Sequence, residues 1–141
     1  MNFLIKALEE LKTELLIGVD NPDNFKITPQ IVVGRALGRT FCTDTKVVML
    51  LSFQGFLASL SQLVLVGSLS RKNYYLLVVY SAKDTAESHL KPRSLMFGMG
   101  FTVFKYTASY TSEDIVRSLR DIIPKINGPV CVFIEESSLN G

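Results

Sequence analysis

Residues 46–82 read KVVMLLSFQGFLASLSQLVLVGSLSRKNYYLLVVYSA. Lys46–Leu51 is apolar without polar alternation, the pattern of a strand covered on both faces of a parallel sheet. The pattern changes at Ser52-Phe53-Gln54-Gly55. From Phe56 to Leu69 it becomes helical and apolar nearly all round, which predicts a buried helix. Asn73–Ser81, NYYLLVVYS, is a second fully buried strand. Strand, helix and strand in this order form a βαβ unit, so the sheet is expected to be parallel.

Val47 to Ser70 contains no charged residue, which makes it long enough to be weighed as a membrane span. Ser52, Gln54, Ser59, Ser61, Gln62 and Ser68 interrupt it, and its period switches from strand-like to helix-like. A strand followed by a buried helix accounts for that switch, so no membrane association is expected.

The flanks extend the alternation. Phe3, Leu4, Ala7, Leu8, Leu11 and Leu15 fall at helical spacing, and ELLIGV (14–19) reads as a short strand. DNPDNFKITP (20–29) is rich in turn residues. Thr28 followed by Pro29 suits the N-cap and first position of a helix through QIVVGRALGRT (30–40). Beyond the central unit, AKDTAESHLKPR (82–93) reads as a polar loop, SLMFGMG (94–100) as a short helix ended by glycine, and FTVFKYT (101–107) as a strand. Thr111 and Asp114 form a capping-box pattern ahead of Ile115, Val116, Leu119, Ile122 and Ile123, a helix that Pro124 is expected to end. GPVCVFIEE (128–136) is the last strand. The expected architecture is three-layer α/β/α, with a doubly wound, mainly parallel sheet of five or six strands and right-handed crossovers. With 141 residues and no internal linker, repeat or low-complexity tract, residues 1–141 are expected to form one domain.

Composition narrows the function. Fifteen basic residues stand against 13 acidic ones, a net charge of +2, and no polybasic tract suggests a nucleic-acid partner. Cys42 and Cys131 are too few and too far apart for a disulfide framework or a zinc site. The opening MNFLIKALEELK lacks the features of a secretory signal, so a cytoplasmic location is expected. His89, the single histidine, lies in a polar stretch with no nucleophile motif beside it. Asp84 and Glu87 have no partner at metal-ligand spacing and read as solvated. Gly34 and Gly38 fall within a helix, not between a strand and a helix, so they make no dinucleotide fingerprint. Position supplies the remaining candidates. In open α/β sheets ligands bind beyond the carboxyl ends of the strands, and Leu51–Gly55 and Tyr80–Lys83 are two such ends. Structural turns are the alternative reading of both. Lys83 has two readings as well, a countercharge for a phosphate or a solvated lysine.

The order of segments resembles the diphosphate-binding (PP) domain of thiamine-diphosphate enzymes, above all the small subunits or C-terminal halves of sulfopyruvate and phosphonopyruvate decarboxylases. LKTELLIGVDNPDNF is similar to that family's opening strand and loop, and VVGRALG to its helix of small residues. Residues 46–82 resemble its metal-binding unit, and MGFTVFKYTASYTSEDIVRSLRDIIPKINGPVCVFIE resembles its closing segment. The resemblance implies thiamine diphosphate and Mg²⁺ as cofactors. It places Thr28, Ser52, Phe53, Gln54, Gly55, Ser81, Ala82 and Lys83 at the cofactor edge. Ser52, Phe53 and Gln54 stand where the family has Gly-Asp-Gly, and Ser81 with Ala82 stands where it has an Asn turn. Mg²⁺ wants hard oxygen ligands, and this replacement offers it little. FKITP (25–29) likewise stands in place of a small-residue loop.

The resemblance implies a subunit of a two-chain 2-oxoacid decarboxylase with its own Mg-diphosphate ligands lost, obligatorily paired with a pyrimidine-domain subunit. The alternatives are a pseudoenzyme serving as scaffold or regulatory subunit, and a repurposed small-ligand or protein-binding module. No catalytic residue and no metal ligand is assigned within the chain. The apolar helix Phe56–Leu69 adds the expectation of a homo-oligomer or hetero-oligomer.

Overall fold

The computed structural model describes residues 2–18, 29–87 and 91–139. Helix α1 (Asn2–Glu10) leads into strand β1 (Glu14–Gly18), followed by α2 (Pro29–Cys42), β2 (Val47–Ser52), α3 (Phe53–Ala58), α4 (Leu60–Leu69) and β3 (Tyr74–Tyr80). The chain continues through α5 (Ala82–Glu87), α6 (Pro92–Gly98), β4 (Thr102–Tyr106), α7 (Ser112–Lys125) and β5 (Val130–Glu135), and closes with a 3₁₀ turn at Glu136–Leu139. Among the described residues the five strands are all parallel, in the order β1-β2-β3-β5-β4.

The unalternating strands are explained by what covers them. Successive residues of β2, β3 and β5 point to opposite faces, as the pleat requires. Met49, Leu51, Leu76, Val78, Cys131 and Phe133 join one core with Val32, Val33, Phe56, Leu63, Val66 and Met96 of α2, α3, α4 and α6. Val48, Leu50, Tyr75, Leu77, Val130 and Val132 join the other with Leu4, Leu8, Ile115, Leu119, Ile122 and Ile123 of α1 and α7. Both faces are therefore dry, and valine, methionine and leucine side chains fill every position of β2 from Val47 to Leu51. The expected three-layer α/β architecture is the one observed.

Four local expectations are corrected. The helix read as Phe56–Leu69 is two helices, α3 starting three residues earlier and α4 starting after Ser59, whose hydroxyl donates to the Gly55 carbonyl at 2.8 Å. Its apolarity does not mean full burial. Leu63 and Val66 face the sheet, whereas Val64, Leu65 and Leu69 are 51%, 54% and 44% exposed, because an outer-layer helix has only one side turned to the sheet. The stretch 82–87 is helix α5, not loop. Pro124 sits within the last turn of α7, which runs one residue further, to Lys125. The capping box at Thr111 and Asp114 is present as read.

Close packing on the α4 side depends on two glycines. A Cβ built on Gly67 meets the Met99 carbonyl oxygen at 1.9 Å, so α4 reaches the end of α6 only because no side chain intervenes. Gly100, at φ +99°, turns the chain from α6 toward β4 in a conformation that favours glycine. The uncharged run of residues 47–70 is thus divided between a strand and two short helices. Among the described residues, no helix is long and apolar enough to cross a membrane.

Candidate functional site

The carboxyl ends of β2 and β3 lie side by side. The strands pair directly, with Ser52 opposite Val79, so the segments 52–55 and 81–83 reach the same edge of the sheet. The side chains at both tips are engaged in starting helices. Ser52 is extended (φ −73°, ψ 164°), and its Oγ accepts the Gly55 N–H at 3.1 Å. A serine hydroxyl at this position satisfies one of the amides that a helix start leaves unpaired. At the second tip the Asp84 N–H donates to Ser81 Oγ at 3.2 Å, and the Ser81 N–H donates to Asp84 Oδ2 at 2.9 Å. This reciprocal pair is what turns the polar stretch after β3 into α5. Asp84, read from sequence as a solvated acid, is therefore a capping residue.

Phe53, the first residue after β2, enters the core. It is 3% exposed, its ring centroid lies 5.9 Å from that of Phe56, and Phe56 meets Phe133 edge-on at 5.4 Å. Gly55 is buried beneath it, while Gln54, Ala82 and Lys83 are exposed. Thr28, Phe25 and His89 lie outside the described residues.

A divalent ion such as Mg²⁺ needs several oxygen ligands around one point. At this edge the two hydroxyls accept backbone N–H groups, the Asp84 carboxylate accepts another, and Phe53 contributes a buried phenyl ring that offers no oxygen. Among the described residues no cluster of three or more His, Cys, Asp or Glu side chains is arranged to hold a metal. The donor set present does not fit a magnesium diphosphate.

The topology directs attention one strand further along. The connection from β3 passes on the α6 side of the sheet to edge strand β4, and the connection from β4 returns through α7 on the opposite side to β5. The carboxyl ends of β3, β5 and β4 thus bracket the point where the winding changes sides, which is where open α/β sheets form a crevice. A cavity of about 270 Å³ lies there, lined by Phe53, Tyr80, Phe133, Lys91, Pro92, Arg93 and Lys105. Three nearly buried rings make its floor, and three basic side chains stand around it. Lys105 Nζ lies 5.6 Å from the centre of the Tyr80 ring. Burial, and to a smaller degree the Glu135 carboxylate, hold the Tyr80 phenol above its ordinary range, so the ring is neutral at physiological pH.

Sequence reading reached Phe53 but not Tyr80 as a lining residue, nor Lys91, Arg93, Lys105 or Phe133. The one available signal was Lys105, the single charge inside an otherwise apolar strand, FTVFKY. Its partners come from four other elements, and no local pattern connects them.

The sequence matches no family model and no curated protein. Among solved structures, the fold is similar to that in the X-ray structure of a "putative thiamin diphosphate-dependent enzyme isolated from Mycobacterium smegmatis", with a TM-score of 0.64 at 12% sequence identity. The likeness covers 94% of this chain and 30% of that one, so the chain spans under a third of its neighbour's length. At this identity the likeness shows the fold alone.

Proposed function

We propose that this chain is a thiamine-diphosphate-enzyme-like domain that has exchanged its magnesium-diphosphate clamp for an aromatic plug and acts as a non-catalytic scaffold or regulatory subunit. The observation that carries this reading is the burial of the Phe53 ring at the tip of β2, packed on Phe56 beside two hydroxyls already engaged in helix caps. A side chain seated in the core cannot swing out to make room for a diphosphate without opening a cavity behind it. The fold likeness to a chain more than three times as long supports a role beside further domains, supplied here by a pyrimidine-domain partner.

Calorimetric titration with thiamine diphosphate and Mg²⁺, on the purified chain and on the chain with whatever protein co-purifies, tests the proposal. No saturable heat is expected in either setting. Micromolar, Mg²⁺-dependent binding would overturn it and favour the alternative, a working subunit of a 2-oxoacid decarboxylase completed in trans. A folded Phe53→Asp, Ser81→Asn double variant that gains Mg²⁺ binding would show that those two positions alone separate this edge from a metal site.

A further inference from the structure

We propose that the crevice between α6 and the ends of β3, β5 and β4 is a binding site for a small planar organic anion, an aromatic carboxylate in the simplest case. The site adjoins the β2–β3 edge and shares Phe53 with it, but its argument does not depend on whether a metal or diphosphate binds at that edge.

Three observations converge. The first is size and chemistry: a dry apolar cavity of about 150 Å³ accepts a benzene ring, and the 270 Å³ here gives such a ring room for one charged substituent. The floor of Phe53, Tyr80 and Phe133 offers faces and edges for an aromatic body. The second is charge. Among the described residues, Lys91, Arg93 and Lys105 line the cavity, no acidic side chain does, and none of the three takes part in an ion pair. The nearby Glu135 carboxylate is turned to other donors, the Ala108 N–H at 2.8 Å and the Ser137 hydroxyl at 2.9 Å. In a chain with a net charge of only +2, three unmatched cations around one concavity make a local positive field that selects anions. The third is position, since the crevice occupies the place where the winding of the sheet changes sides.

The geometry assigns roles. Arg93 and Lys105 hold the oxyanion, the guanidinium being suited to a two-oxygen contact. Tyr80 keeps Lys105 over the cavity through the contact of the ammonium with its ring. Phe133, paired in register with Lys105 across β4 and β5, sets the depth of the floor.

The probes are benzoate, phenylphosphonate and the neutral isostere benzyl alcohol, titrated into the ¹⁵N-labelled full chain and followed by amide chemical shifts. Saturable shifts at Tyr80, Arg93, Lys105 and Phe133 are expected with benzoate, with affinity for benzyl alcohol weaker by roughly tenfold. Tighter binding of phenylphosphonate than of benzoate would identify a phosphoryl group as the preferred oxyanion. Arg93→Gln combined with Lys105→Gln is expected to remove the preference for the anions while leaving the spectrum dispersed. Raising the salt concentration with the unaltered chain reads the same charge contribution without a substitution, and benzoate affinity should fall. Equal affinity for benzoate and benzyl alcohol, shifts clustered elsewhere, or no saturation by about 10 mM, well above the range of a specific site, would overturn the proposal. Thiamine diphosphate binding at the β2–β3 edge is a separate readout, so each reading can fail alone.

Discussion

Replacing Phe53 with alanine asks whether the ring is a structural plug or a movable gate. The side chain is 3% exposed and sits in the same core as Phe56, Phe133 and Leu51. Burial of a phenyl ring and the cavity left on its removal together cost about 3–5 kcal/mol in a closed core. The low end applies here, because the ring also borders a crevice that water can reach, and the void is partly hydrated. Loss of the contact with Phe56, centroids 5.9 Å apart, falls within that figure. Urea unfolding followed by far-ultraviolet circular dichroism measures it. With a slope near 2 kcal/mol per molar urea, a loss of about 3 kcal/mol moves the midpoint down by about 1.5 M. A change under about 1 kcal/mol would mean that the ring is not packed as described. The tip of β2 would then be free to open, and the plug argument behind the proposed function would fail with it.

Two further predictions concern the frame around the site. Gly67→Ala places a methyl group 1.9 Å from the Met99 carbonyl oxygen, a backbone atom that cannot step aside, so a loss of about 2–3 kcal/mol is expected in the same unfolding assay. A loss below about 0.5 kcal/mol would show that α4 and the end of α6 are not in contact. At the start of α7, the Thr111 N–H donates to the Asp114 carboxylate at 3.2 Å. That bond, with a smaller contribution from Arg117, holds the carboxyl below its ordinary value of 3.8. A group whose folded pKa is lowered contributes stability that is complete above its ordinary value and lost as pH falls through the lowered one. The melting temperature of Asp114→Ala should accordingly lie below that of the unaltered chain at neutral pH and converge on it in acid. A gap that stays constant down to about pH 2 would remove the carboxylate from the account.

Much of the frame can be read from local chemistry. Lys46–Leu51 and Asn73–Ser81 show no polar alternation because helices cover both sides of the sheet, and the Thr111 box marks its helix start by spacing alone. Misreadings occur where two local signals compete. Ala82–Glu87 has no apolar period to mark it as a helix, and although Ser81 and Asp84 stand at the same spacing as Thr111 and Asp114, the reciprocal hydrogen bonds between them are what show its start. At Leu60–Leu69 composition indicated full burial, yet a helix in the outer layer turns Val64 and Leu65 away from the sheet whatever their hydrophobicity.

The amino-acid sequence alone determined the class of fold and the identity of its central strands, and it placed Phe53 and Ser81 just past the ends of two of them. Tertiary structure decided that β5 inserts between β3 and β4, and so that Lys105, Tyr80 and Phe133 meet beside Lys91 and Arg93 in one crevice. The physical reason is range. Periods of two and of 3.6 residues are written between near neighbours in the chain, whereas the choice of which strand pairs with which is settled by long-range burial that no short window of residues contains.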